Sequence, residues 1–356
     1  MVRGWAQHPG ERHHGAHGDL VSRSLDVPVG ELLDFSQNIN SLGAPPKALE
    51  AAGRALYEDS SRYPDLEYTG LREALAAYLG VSAEMIVPTN GGAEALFLAA
   101  RAAGTAGKAL VLEPTFSEYA AAARASGMEP VRRVARRREE DFEWDSTPLG
   151  DLEGVSVVFL CNPNNPTGDS LGRDEVLGVA ARVGEAGAVL VVDEAFADFV
   201  PGISVTDRVD RGLWVARSFT KFFAIPGLRL GCLVCDAAAR IQELQPSWPV
   251  NAVAAAAGIA AASDRDFTET SIAEAARLRE DLFGALDALP GLRPFPGAAN
   301  FLLIRGPDGL PERLARRGVL VRGCGPFYGL GPRYFRVAVK SAEENRRLVA
   351  ALGEEL

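Results

Sequence analysis

The stretch AVLVVDEAF, residues 188–196, runs five apolar residues straight into two carboxylates and then an aromatic ring. An apolar run without alternation is what a strand covered on both faces requires. Four more runs share that character: ALVLE (109–113), VSVVFL (155–160), LWVAR (213–217) and GCLVC (231–235). Helical patterns lie between them at 92–103, 117–126 and 173–185. Strand alternating with helix predicts an α/β fold whose mainly parallel sheet is wrapped by helices. Such sheets bind ligands at the carboxyl ends of their strands. Asp193 stands at one of those ends, and a buried acid is costly there unless it meets a positive partner.

After residue 245 the character changes. An alanine-rich stretch (252–262) and a charged helical run (269–289) lead into NFLLIR (300–305), VLVR (319–322) and YFRVAV (334–339). The last helix opens at Ser341, with Glu344 at capping-box spacing. The expected organisation is an N-terminal arm (1–45) joining a small α+β domain (246–356), with a large domain (46–245) between them.

Hydrophobic residues make up 47% of the 356 and charged ones 24%, a globular composition. No apolar run approaches the ~20 residues of a membrane helix, and the polar, His-rich start lacks the apolar centre of a secretion signal. The cytoplasm is the expected compartment, with no membrane partner. A net charge of −10 argues against a nucleic-acid partner. The basic run Arg132, Arg133, Arg136, Arg137, Arg138 is followed at once by Glu139, Glu140 and Asp141, which reads as a solvated surface segment.

All four histidines (8, 13, 14 and 17) precede residue 18, so the body of the chain cannot build a Ser-His-Asp triad. Cys232 and Cys235 spell C-x-x-C within an apolar strand, where residues three apart face opposite sides and cannot share a metal. No metal site is expected. AGTAGKA (103–109) has the wrong spacing and context for a phosphate loop and reads as a tight helix-to-strand turn.

Three segments carry chemistry. TNGGAEALF (89–97) opens a helix with a glycine pair, which either cups an anion on free N–H groups or is an ordinary cap. CNPNNPTG (161–168) closes an apolar strand with two Asn-Pro steps, a rigid turn that fixes the amide of Asn165. SFTKFFAIPGLRLG (218–231) holds Lys221, one of only four lysines, among Phe219, Phe222, Phe223 and Ile225. An apolar setting would depress its pKa and free the amine as a nucleophile; the other reading is a surface lysine. An anion cup, an amide donor, a buried carboxylate and a lysine, each at a strand end, would together suit pyridoxal phosphate, an aldehyde on a cationic ring with a phosphate.

On N-P-T-G, D-E-A and S-x-x-K…R the chain resembles the fold-type I pyridoxal-phosphate enzymes of the aminotransferase superfamily over nearly its whole length. The resemblance implies that Lys221 bonds the cofactor's aldehyde, Asp193 pairs with the ring nitrogen and Asn165 with the phenolic oxygen. Phe116 would stack on the ring, and Gly92, Ala93, Ser218 and Arg229 would hold the phosphate. Tyr63 of SRYPD would reach that phosphate from a partner subunit, which implies a homodimer. Arg336 would bind the substrate's acidic group, alone or sharing a phosphate with Arg322.

Within the superfamily two families fit best, the histidinol-phosphate aminotransferases and the threonine-phosphate decarboxylases. The segment DFSQNINSLG (34–43), which contains Asn38, resembles the decarboxylase pattern D-F-S-x-N-I-N-P-L-G, with Ser41 in place of proline. AHGD (16–19) resembles that family's A-H-G-G and makes His17 a candidate for the substrate phosphate. Phe196 stands where the aminotransferases usually place a tyrosine. The expected activity is decarboxylation of L-threonine O-3-phosphate to (R)-1-amino-2-propanol O-2-phosphate, a precursor of the cobalamin side chain, with histidinol-phosphate transamination as the alternative.

Overall fold

The computed structural model describes residues 18–134 and 149–356. His17 and Arg136, Arg137 and Arg138 therefore lie outside the described residues, as do the three acids that follow them.

The arm contributes β1 (Leu33–Asp34), and seven strands build the large sheet. These are β2 (Ile86–Thr89), β3 (Lys108–Glu113), β4 (Glu129–Val134), β5 (Val155–Cys161), β6 (Val189–Asp193), β7 (Leu213–Ser218) and β8 (Gly231–Val234). Their order is β2-β8-β7-β6-β5-β3-β4, with β8 antiparallel to both neighbours and the other contacts parallel. The five apolar runs are all strands of this sheet, and GCLVC supplies its one antiparallel member. The helices at Gly91–Ala103, Glu118–Ala125 and Arg173–Glu185 fall where the sequence pattern put them.

β2 and β4 did not stand out in the sequence. β2 is only four residues long, and β4 is an edge strand of half-buried residues, not an apolar run. Arg132 and Arg133 therefore belong to an edge strand, where both are half-buried. Arg132 lies 3.6 Å from Glu113 and has its guanidinium over the Tyr328 ring.

Side chains alternate across the sheet. Leu190 and Val192 enter the core on one face, and Val191 enters the core on the other, with Phe159 and Cys161. The second face carries the helix Gly91–Ala103. Cys232 and Cys235 split between the two faces, buried and unpaired with each other. The same alternation aims Asp193 at the second face and sends Glu194 to the first.

A second sheet, in the order β12 (Arg322–Gly323), β13 (Tyr334–Ala338), β10 (Phe301–Arg305), β9 (Arg293–Pro294), is antiparallel throughout. The expected run 319–322 divides here. Its first half, β11 (Val319–Leu320), pairs in parallel with β1 of the arm, and Arg322 begins β12. The final helix, Ala342–Glu355, is closed by the predicted capping box of Ser341 and Glu344.

Candidate active site

The strands β5, β6 and β7 end side by side, with Cys161 opposite Asp193 and Asp193 opposite Ala216 in register. Above these ends opens a cavity of ≈ 510 Å³. Twelve of the residues picked out in the sequence line it: Asn38, Gly92, Ala93, Phe116, Asn165, Asp193, Phe196, Ser218, Lys221, Arg229, Arg322 and Arg336. Tyr63 does not. It is 79% exposed and stacks on Trp248 with ring centroids 4.3 Å apart.

One end of the cavity is a cup. Gly91 has φ +78°, and a Cβ there would come within 2.6 Å of the Arg229 guanidinium. A Cβ on Gly92 would meet Ser218 at 2.9 Å. The glycine pair thus lets the helix N-terminus, with its unpaired N–H groups and positive dipole end, close on the guanidinium and the serine.

At the floor, Asp193 is buried and both its oxygens are held. Tyr119 donates its hydroxyl to Oδ2 at 2.7 Å, and the Ala195 N–H donates to Oδ1 at 3.0 Å. Burial pushes the Asp193 pKa up, while the Tyr119 hydrogen bond, the Ala195 N–H and the Lys221 charge pull it back. Lys221 lies on a turn of helix, Phe219–Phe222, and its Nζ donates to Thr220 Oγ1 at 3.2 Å. Burial lowers its pKa from the usual 10.5 to about 8, and the neighbouring Arg229 and Arg336 add to the effect. Lys221 is thus a largely buried lysine, not a surface one.

The opposite wall belongs to the small sheet. Arg322 and Arg336 are cross-strand partners and both buried. Arg336 donates to the amide oxygen of Asn165 and, through Nη2, to the Ser36 carbonyl at 2.8 Å. That leaves the Asn165 Nδ2 hydrogens for a ligand. Burial lowers the Arg336 pKa to about 10. Both side-chain atoms of Asn38 are buried without a protein partner among the described residues. Phe196 meets Phe301 edge-on at 4.9 Å, and the Arg336 guanidinium lies over that same ring at 5.4 Å. Four cationic side chains against Glu118 and Asp193 make this a site for an anionic ligand.

Glu194, to which the sequence reading gave no role, accepts from Arg217 at 2.7 Å, Ser204 Oγ at 2.5 Å and the Val205 N–H at 2.7 Å. Arg217 also pairs with Asp198, which accepts the Tyr78 hydroxyl at 2.8 Å. This ionic cluster lies behind the site, each member one residue or a short turn from a cavity residue. Tyr119 was also missed. In an alanine-rich helix it reads as core, and only its place three residues beyond Phe116 marked it.

The model of the family "Aminotransferase class I and II" matches residues 30–352. The chain belongs to this family. Among class I and II relatives, it is 39% identical to a threonine-phosphate decarboxylase of Salmonella typhimurium over 95% of this chain and 96% of that protein. The histidinol-phosphate aminotransferase structure from Clostridium acetobutylicum aligns with a TM-score of 0.84 and 29% identity, covering 91% of this chain and 99% of that one. The L-threonine-O-3-phosphate decarboxylase structure from Porphyromonas gingivalis aligns with a TM-score of 0.81 and 25% identity, covering 90% and 98%.

Pyridoxal phosphate is the cofactor of this aminotransferase fold. The residues present fit it: a cup walled by glycine backbone and a guanidinium, a buried carboxylate with no salt-bridge partner among the described residues, and a lysine with a lowered pKa.

Proposed function

We propose that this chain decarboxylates L-threonine O-3-phosphate to (R)-1-amino-2-propanol O-2-phosphate, with pyridoxal phosphate as cofactor, in the making of the cobalamin side chain. The carrying observation is Phe196: the cavity that Asn165 lines is lined at this position by a phenyl ring with no hydroxyl to donate. The likeness to the Salmonella decarboxylase along nearly the whole chain supports the same reading.

Bound pyridoxal phosphate supplies an electron sink for the pair released at the substrate's Cα. The chain's residues do the rest. Gly92 and Ala93 amides, Ser218 and Arg229 hold the cofactor phosphate, and Asp193 keeps a proton on the ring nitrogen. Asn165 donates to the phenolic oxygen, and Phe116 covers the ring. Arg336 and Arg322, with Asn38, take the substrate's carboxylate and phosphate; His17, outside the described residues, is assigned to the phosphate. The Cα–carboxylate bond breaks, carbon dioxide leaves, and Lys221 delivers a proton to Cα from the face it already occupies. One proton is taken up for each carbon dioxide released.

The chain works as a cytoplasmic homodimer in which Tyr63 reaches the partner subunit's cofactor phosphate. A run of exposed apolar side chains supports this: Leu49, Leu56, Tyr57, Tyr63 and Leu66 are each more than half exposed. Residues 46–245 hold the cofactor, and 246–356 form the smaller domain. The arm, 1–45, joins that domain; the β1–β11 pairing supports the attachment. Among the described residues no helix is long and apolar enough to cross a membrane. The test supplies the enzyme with threonine phosphate, or with histidinol phosphate and 2-oxoglutarate. Carbon dioxide from the first, without need of a keto acid, supports decarboxylation; turnover of the second pair alone overturns it.

A further inference from the structure

The arm crosses the cavity between two anchors. At one end the Phe35 N–H donates to the Leu320 carbonyl at 2.7 Å, its carbonyl accepts the Ala338 N–H at 2.9 Å, and Ser36 caps Arg336. At the other end sits Asn40, 5% exposed and outside the cavity lining. Its backbone N–H donates to the Lys221 carbonyl at 3.1 Å. Its Nδ2 donates to the Phe222 carbonyl at 2.8 Å and to Ser271 Oγ at 2.9 Å. Its Oδ1 accepts the Leu42 N–H at 3.1 Å.

The turn that carries Lys221 is short and has few hydrogen bonds of its own. It is four residues long, well short of the length at which a helix is stable alone, and its Lys221 carbonyl accepts a long local bond, from the Ala224 N–H at 3.3 Å. Asn40 adds a further donor to the Lys221 carbonyl through its backbone and caps the Phe222 carbonyl through its side chain, the latter from 182 positions earlier in the chain. A primary amide is well matched to this position, because its two N–H donors reach a carbonyl and a hydroxyl while its oxygen closes the local turn. Ser271 belongs to the helix Arg265–Asp287, so the amide ties arm, lysine turn and long helix together.

We propose that Asn40 is the positioning residue for Lys221, fixing the turn so that the amine enters the cavity in one direction and in one electrostatic environment. This rests on Lys221 being the residue that carries the cofactor, and not on which substrate is used. Misplacing a reacting group by about 1 Å costs on the order of 100-fold in rate, and loosening the turn would also let water reach an amine whose pKa is lowered mainly by burial.

The test uses the holoenzyme of Asn40→Ala, Asn40→Ser and Ser271→Ala. For Asn40→Ala, kcat falls about 10- to 100-fold while KM for threonine phosphate stays within about threefold. The pH midpoint of the bound cofactor's visible absorbance shifts by at least about half a unit. Asn40→Ser, whose hydroxyl can reach one of the two acceptors, recovers part of both effects. Ser271→Ala removes only the far acceptor and leaves the midpoint in place. A fall in melting temperature with the midpoint unmoved would reduce Asn40 to a structural residue and overturn the proposal. If Asn40→Ala does not fold, Asn40→Ser decides on the same two readings. A wild-type enzyme that forms the visible band but leaves threonine phosphate intact would count against the substrate reading alone, because the midpoint still reports on Asn40.

Discussion

The Tyr119 hydroxyl donates to Oδ2 of Asp193 at 2.7 Å, and the Tyr119 ring is stacked on Phe159 with centroids 5.2 Å apart and planes 7° from parallel. The donor is therefore rigid, and it favours the ionised form of an acid whose pKa burial has pushed up. Tyr119→Phe keeps the ring and removes the donor. Asp193 should then titrate higher and hold the ring nitrogen less well. A hydrogen bond to a charged group is worth about 1.5–3 kcal/mol, so kcat/KM should fall roughly 10- to 100-fold. Steady-state kinetics and a titration of the apoprotein with pyridoxal phosphate check this.

The lowered pKa of Lys221 makes the capture of cofactor pH-dependent in a defined window. Only the neutral amine attacks an aldehyde. The rate of cofactor uptake by the apoprotein should rise with pH up to about 8 and then level off. An ordinary lysine would keep rising toward 10.5. The sign for stability is opposite to that of a salt-bridged lysine. A folded pKa below the unfolded one means the buried amine costs stability below about pH 8, and the cost disappears as pH rises toward 10.5. Lys221→Met should accordingly make the apoprotein more stable at pH 7, by on the order of 1–3 kcal/mol. Thermal melts across pH 6 to 10 (roughly the span of the two pKa values) measure both effects.

Arg217 is the only cation in contact with Glu194 and Asp198 among the described residues, and all three side chains are at most 4% exposed. Arg217→Met should destabilise the fold by about 3–5 kcal/mol, because it leaves two carboxylates in the interior. Burial already pushes the Asp198 pKa up, and removing Arg217 would push it further. An acid with a raised folded pKa loses stability as pH rises through that value. The variant should thus lie closer to wild type at pH 5 than at pH 8, and denaturant melts at the two values would show it.

Phe196→Tyr would add a hydroxyl to the lining of the cavity without enlarging the ring. Decarboxylation should slow by about tenfold, and slow loss of the enzyme's visible band, the mark of abortive transamination, should increase. An unchanged rate and an unchanged band would remove Phe196 as the discriminating residue.

The fold was legible in the sequence wherever burial on both faces made strands apolar throughout, as in β3, β5, β6 and β7. It was not legible in β4, whose arginines pair at a sheet edge, or in the split of 319–322 between two sheets, which depends on the arm's tertiary position. The candidate site residues Lys221, Asp193, Asn165 and Arg229 could be picked out because each falls in a short motif near the end of a large-sheet strand. The residues that hold them could not. Tyr119, Glu194, Arg217 and Asn40 matter through partners distant in sequence, 74 residues from Tyr119 to Asp193, and no local pattern reports such pairs. Alternation along β6 sends Glu194 away from Asp193, and what it meets there needed the structure.

The most direct test of the central claim follows the carboxyl carbon. Holoenzyme given carboxyl-labelled L-threonine O-3-phosphate, with no keto acid present, should release one labelled carbon dioxide per aminopropanol phosphate formed, and Lys221→Ala should release none. Label retained in a keto acid, formed only when 2-oxoglutarate is supplied, would contradict the account and identify the enzyme as a transaminase.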